Sequence, residues 1–367
     1  MQVVVIGAGV IGSAIAWELR RRGVSVALIE STAEGGHTSA ASAGMVNPFS
    51  LTPHDSPAVP LYWRSFQMYA EWIEQLRERT GIDPEWRTGG TLRVALSPVN
   101  GETLRASLEW VRRYDPSVQL IDGSEARRLE PALHPEIPEA LYMPNEGWVH
   151  TPRLMRALHR ALQQEGVSLY AASSALSIEM HGAHARGVRT AHGVVQGDAV
   201  VVAAGAWSGA LLQPLGVHAP TEPVRGQLLL LTDLPTPVHR ILSTPMGYIV
   251  PRADGTAVVG ATREQAGYDL RATAEGYAHL TQALARIAPT LMRATLVGHA
   301  VGLRPDTPDH NPYIGLVNGY QGLYVAAGHA YHGVLLAPAT ACAIADLILS
   351  GETKLPIAPF DPNRFTR

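Results

Sequence analysis

The chain has 367 residues, 46% of them apolar and 17% charged, with a formal net charge of −3. That length exceeds what one core usually spans and implies two domains, and the composition is that of a well-buried globular protein, not a disordered one. The charge balance excludes a basic field for nucleic acid or an anionic membrane, and the single cysteine, Cys342, excludes an internal disulfide or a thiolate metal cluster, so a reducing, cytoplasmic setting is expected.

Residues 2–6 read as a buried parallel strand, followed by a glycine turn, a helix over 11–22 closed by Gly23, and a second buried strand over 24–30. This is one βαβ unit. Arg20, Arg21 and Arg22 follow the first apolar stretch instead of preceding it, which is not the order of a signal peptide. Residues 35–48 are rich in Gly, Ala, Ser and Thr and make no core of their own. Helices are expected over 61–79, 102–114 and 124–129, with a strand over 91–97 between the first two. A helix over 151–166 takes Thr151 as N-cap and Pro152 in its first turn. Strands follow over 167–170, 175–181 and 199–204. Those over 227–233, 247–251 and 256–261 suit a mixed or antiparallel sheet. A helix over 277–288, a buried strand over 322–326 and an apolar helix over 333–349 complete the chain. The last helix carries Pro338 and Asp346 and is short for a span of about 20 residues, so no transmembrane segment is expected.

The turn Gly7-Ala-Gly9-Val-Ile-Gly12 joins the first strand to the first helix. Gly7 permits the tight turn, Gly9 the close approach of a pyrophosphate, and Gly12 close helix–strand packing. The helix N-terminus offers N–H groups and partial positive charge to the phosphates. Glu30 closes the second strand, where a carboxylate holds ribose hydroxyls and repels a 2′-phosphate. The turn alone does not separate NAD from FAD. A nicotinamide dehydrogenase would continue with further βαβ units, whereas here the next hundred residues are loop, long helices and few strands, and a parallel-type strand returns only at residues 200–205. The sequence has no HExxH or paired-cysteine pattern, so no metal is expected.

Further pieces follow in order: Ser42-Ala-Gly-Met45, Val201-Val-Ala-Ala-Gly-Ala-Trp207, Glu222-Pro-Val-Arg-Gly226 and Gly247-Tyr-Ile-Val-Pro-Arg252. Val259-Gly-Ala-Thr262, Gly302-Leu-Arg304-Pro, Gly328-His329 and Gly333-Val-Leu-Leu-Ala-Pro338 complete them. In these the chain resembles the glycine oxidase and D-amino-acid oxidase family of flavoproteins, and its glycine oxidase members most. The resemblance implies an α/β protein with a Rossmann-type FAD-binding domain and a mixed-sheet, α+β substrate domain, D-amino-acid oxidase-like. The FAD domain would comprise 1–85, 145–222 and 301–367, and the substrate domain 86–144 and 223–300.

It implies non-covalent FAD, since no cysteine occurs in the loop before the last helix. Gly7, Gly9, Val10, Ile11, Gly12, Glu30 and Ser31 would hold its adenosine diphosphate half. The family's adenine contact falls near Ala175, through backbone. Thr38, Ser39, Ala43, Gly44, Met45 and Gly205 would line the rest. Backbone amides of His329, Ala330, Tyr331, His332, Gly333, Val334 and Leu335 would face the flavin pyrimidine edge and stabilise its developing negative charge. His329 and His332 fit hydrogen bonding to backbone or flavin better than acid–base roles.

At the substrate, Arg304 matches the family's carboxylate-binding arginine, whose planar fork suits that task, and Tyr248 its partner tyrosine. Arg252, on the same strand face by parity, carries no assigned role. Three positions depart from glycine oxidase. Tyr331 replaces an arginine, Met246 a histidine and Arg263 a methionine, which bears on the choice of amino acid. The implied reaction is oxidative deamination of glycine or small D- or N-methyl amino acids to the α-keto acid and ammonia or amine. The amine releases hydride to the flavin without a proton-abstracting side chain, and O2 reoxidises the flavin to give H2O2. A secondary-amine dehydrogenase passing electrons to a quinone or carrier is the alternative. A non-catalytic dinucleotide-binding module is a second, against which Arg304 and Tyr248 speak. A homo-oligomer completes the expectation.

Overall fold

The computed structural model describes residues 1–32, 37–52 and 54–365; Gly35 and Gly36 lie outside the described residues. A six-stranded sheet runs in the order Tyr313–Leu316, Leu323–Ala327, Ala199–Val202, Gln2–Ile6, Ser25–Ile29, Ser168–Tyr170. All neighbours are parallel except the first pair. Val3, Val4 and Val5 have no exposed surface, because both sheet faces are covered. The helices Val10–Arg21, Val59–Thr80, Thr151–Gln164 and Gly333–Ser350 pack one face, and the three-stranded sheet of Ser177–His181, His184–Thr190 and Gly193–Gln196 the other.

The last helix is apolar and long enough to cross a membrane by composition, yet it packs against Val10–Arg21 and Val59–Thr80 in the core. Pro338 has no N–H for the Val334 carbonyl one turn back. Tyr69 supplies the missing donor, its hydroxyl donating to Val334 O at 3.1 Å. Ser65, one turn earlier on the same helix, donates to Leu335 O at 2.6 Å. A buried acceptor is thus satisfied from a neighbouring helix.

The second sheet has eight strands, in the order Thr295–Asp306, Glu222–Thr232, Ala257–Gly260, Gly247–Pro251, Ile241–Thr244, Thr91–Val94, Glu139–Met143, Gln119–Asp122. Only Ile241–Thr244 with Thr91–Val94 is parallel. Leu92, Val94, Leu242 and Ile249 turn to a core shared with the helix Ala274–Ile287, and the opposite face looks toward the six-stranded sheet.

Three expectations are corrected. The sequence assigns no element where the twelve-residue strand Thr295–Asp306 runs, pairing Val224 with Arg304 and Gly226 with Gly302. Its first half is exposed at the sheet edge and shows no alternation to read. The strand also crosses residue 301 without a break. Thr151 is not the N-cap of its helix. His150 is, its Nδ1 accepting from Arg153 N–H at 3.3 Å, while the Thr151 hydroxyl donates to Ser42 O at 2.7 Å. The helix expected from 277 begins at Ala274, with Thr273 accepting from Gly276 N–H at 3.1 Å.

Candidate active site

A cavity of about 1590 Å³ runs from the glycine turn to the open face of the eight-stranded sheet. At its first end Gly7 has φ +102°, and a Cβ there would lie 2.4 Å from Ala203 O. A Cβ on Gly12 would lie 1.9 Å from Gly7 O, so both glycines are demanded by packing. Gly9 differs. Its Cβ direction meets only Ser39 Oγ, at 3.3 Å, and otherwise faces the cavity. That oxygen also accepts from Val10 N–H at 3.0 Å, so a residue far along the chain caps the first helix. Glu30 accepts from Ala8 N–H at 2.9 Å and from Thr32 N–H at 2.9 Å, tying the second strand to the turn. Val10, Ile11, Glu30, Ser31, Ala175 and Gly205 line this end.

The small-residue segment crosses the middle of the cavity as a short helix, His37–Ala40, and the strand Met45–Val46. Thr38 Oγ1 donates to Leu303 O at 3.0 Å and accepts from Leu303 N–H at 3.2 Å. The Arg252 guanidinium donates to Ala43 O and Val149 O, both at 2.8 Å, and burial pulls its pKa down to about 10. Parity places Arg252 beside Tyr248, but it ends on carbonyls as a structural clamp. Gly44, at φ +78°, would set a Cβ 2.0 Å from Val149 O. Ala43, Gly44 and Met45 line the cavity.

At the far end, Arg304 Nη1 donates to Thr262 O at 3.0 Å. Its guanidinium lies over the Tyr331 ring at 5.1 Å, and that of Arg263 over the same ring at 4.9 Å. The Tyr331 hydroxyl is buried and has no partner among the described residues. Burial pushes the Tyr248 hydroxyl up, and Arg304 beside it pulls the other way. Met246 N–H donates to Thr244 Oγ1 at 3.1 Å, and its carbonyl lies 3.2 Å from His279 Nε2. Arg304, Tyr248, Tyr331, Met246 and Arg263 all line the cavity.

A family model described as FAD dependent oxidoreductase matches residues 2–347. The chain belongs to this family. A glycine oxidase of Pseudomonas aeruginosa is 35% identical over 362 residues, 98% of each chain. The crystal structure of glycine oxidase from Geobacillus kaustophilus matches with TM-score 0.94 at 34% identity, covering 99% of this chain and 98% of that one. The crystal structure of iminodiacetate oxidase from Chelativorans sp. matches with TM-score 0.90 at 28% identity, covering 98% of each.

The residues of this FAD-dependent oxidoreductase fit the cofactor. The first-turn N–H groups of the helix Val10–Arg21 have no intrahelical acceptors, and Gly9 leaves its cavity side open for phosphate. At the other helix start, Ala330 N–H donates to Pro305 O and His332 N–H to His329 O, both at 2.8 Å. Those two amides are therefore spent inside the protein. The N–H groups of Gly333, Val334 and Leu335 open the helix Gly333–Ser350 and have no intrahelical acceptor. His329 Nε2 lies 3.1 Å from Thr340 Oγ1, and burial holds its pKa down to about 3. His332 stacks on Tyr62 at 4.3 Å and is held down to about 4. Both rings are neutral at neutral pH. Gly12, His332 and Leu335 lie behind the cavity lining, whereas His329, Ala330, Gly333 and Val334 belong to it.

The sequence assigns no site role to Arg93, Ser243, Thr262 or Gly226, which the tertiary structure brings to the cavity. A lone arginine in the otherwise apolar strand Thr91–Val94 is the signal that was there to be read.

Proposed function

We propose that this flavoenzyme deaminates glycine or small D- or N-methyl amino acids, consuming O2 and water and releasing the α-keto acid, ammonia or amine, and H2O2. The observation that carries this reading is the pairing of Arg304 and Tyr248 at the cavity end opposite the phosphate-binding turn. FAD, when bound, supplies the two-electron chemistry. The chain's own residues then bind and orient. The Arg304 fork holds the substrate carboxylate and Tyr248 donates to it, which fixes the α-carbon in place. Tyr248 and Tyr331, with hydroxyl pKa values raised by burial, stay protonated as donors. His329 and His332 are neutral and already placed in packing or hydrogen bonding. No side chain is assigned as proton acceptor, and the amine reacts in its neutral form.

The reading extends to the roles of the cavity-lining residues named above and to a division into an FAD domain (1–85, 145–222, 301–367) and a substrate domain (86–144, 223–300). The separate six- and eight-stranded sheets support that division. Leu230, Leu296 and Val297, exposed on the edge strand Thr295–Asp306 and its neighbour, support a homo-oligomer, and the lone cysteine supports a cytoplasmic setting. A peroxide-coupled assay of the purified protein with glycine, sarcosine and D-alanine tests the activity. Peroxide and keto acid in equal amounts are expected. Oxidation only with an artificial acceptor would remove O2 from the scheme.

A further inference from the structure

The Arg304 site accounts for one carboxylate, yet the same cavity holds a second guanidinium. Arg93 lies in the strand Thr91–Val94 and lines the cavity. Among the described residues it makes no hydrogen bond and no ion pair, although it is half-buried in the cavity wall and burial lowers its pKa. A half-buried cation with no protein partner is open to an anion that enters the cavity. The carboxylate whose charge acts on it is Glu146. Glu146 forms no salt bridge with it; one oxygen accepts instead from Phe49 N–H at 3.0 Å and Ser50 N–H at 3.2 Å. Burial raises the Glu146 carboxyl to about 7, so near neutral pH it only partly offsets the arginine.

Register places Arg93 relative to the reaction site. Tyr248 pairs with Ser243, and Ser243 pairs with Arg93. Register partners project to the same sheet face, so the three side chains stand in one row on the cavity side. Two strand spacings separate the Cα atoms of Tyr248 and Arg93 by about 10 Å. Ser243, between them, is 3% exposed and lines the cavity, and its hydroxyl has no hydrogen-bond partner among the described residues.

We propose that Arg93 and the Ser243 hydroxyl form a second carboxylate subsite, which extends the substrates to amino acids bearing a second carboxylate on the amine nitrogen or the side chain. The proposal rests on the amino-acid oxidase reading above. Arg304 and Tyr248 take the α-carboxylate and Arg93 takes the distal one, so that the substrate spans the row.

Two measurements on the FAD-loaded protein test it. In the first, peroxide formation is compared for iminodiacetate, D-aspartate and D-glutamate against glycine, sarcosine and D-alanine, with wild type, Arg93→Met and Arg93→Lys. The ratio of dicarboxylate to monocarboxylate kcat/KM is expected to fall roughly 10- to 100-fold in Arg93→Met, the range for one charged hydrogen bond, and to recover in part in Arg93→Lys. The iminodiacetate and D-glutamate arms report whether the second carboxylate is carried on nitrogen or on the side chain. In the second, malonate and succinate are titrated against acetate and propionate, following the flavin absorbance. This needs no turnover and survives failure of the amino-acid reading. Tighter dicarboxylate binding that Arg93→Met abolishes supports the subsite. Equal preference in wild type and Arg93→Met overturns it. If Arg93→Met loses FAD, Ser243→Ala carries the comparison, and an unchanged dicarboxylate preference there overturns the subsite as drawn.

Discussion

Gly226 lies directly beneath the guanidinium of Arg304. A Cβ on that glycine would stand 2.4 Å from Nη1 and 2.5 Å from Cζ. The strand pair that brings them together sets Gly226 opposite Gly302 and Val224 opposite Arg304, so the arginine lies back across its neighbour strand. Gly226→Ala therefore should push the fork out of line while leaving the glycine turn intact. We expect kcat/KM for glycine-class substrates to fall by roughly 10- to 100-fold, as a misplacement of about 1 Å does elsewhere. FAD content, read by absorbance, should match wild type.

If Arg304 holds the substrate carboxylate as proposed, Arg304→Ala removes one partner of that hydrogen-bonded charge pair. Such losses run to about 2–5 kcal/mol, or roughly 30-fold to several thousand-fold in kcat/KM. Arg304→Lys should recover only part, because an ammonium lacks the two parallel contacts. Tyr248→Phe should lose less, about 0.5–1.5 kcal/mol for one neutral hydrogen bond. Full activity of Arg304→Ala on carboxylate substrates would move the substrate class to carboxylate-free amines.

Arg252→Leu should act on folding and cofactor retention. The substitution leaves Ala43 O and Val149 O without their donor. An unmet buried acceptor costs about 1–3 kcal/mol, so the two together predict a loss of roughly 2–6 kcal/mol in urea unfolding, with weaker FAD binding. Unaltered stability and flavin content would contradict the clamp.

Acid should destabilise the protein through its buried imidazoles. His329 and His332, held at about 3 and about 4, stay neutral in the folded state, while the unfolded chain protonates them below about 6.5. The unfolded state then binds more protons, so stability falls as pH drops from about 6.5 toward 4. Glu146, raised to about 7, acts oppositely and stabilises as pH falls from 7 to about 4.5. The two histidines outnumber it. His332→Phe keeps the stack on Tyr62 and should lessen the acid slope by about 1.4 kcal/mol per pH unit between 6 and 4.5, measured as urea midpoints across pH.

The sequence by itself determined the βαβ unit, the phosphate turn and the order of the family motifs, because their physics is local. Three glycines at fixed spacing between an apolar strand and a helix have one economical conformation, and Arg304 is legible within Gly-Leu-Arg-Pro. The tertiary structure alone decided the rest. Thr295–Asp306 became a strand because it pairs with Glu222–Thr232, although its exposed half shows no period. Ser39 caps a helix to which it does not belong, and the Tyr69 hydroxyl serves the carbonyl that Pro338 leaves without a donor. Arg252 directly follows an apolar strand and Arg93 lies within one, and nothing local in the sequence tells them apart. One meets two carbonyls and the other an open cavity, and that difference is set by strand register and by contacts between segments far apart in the chain.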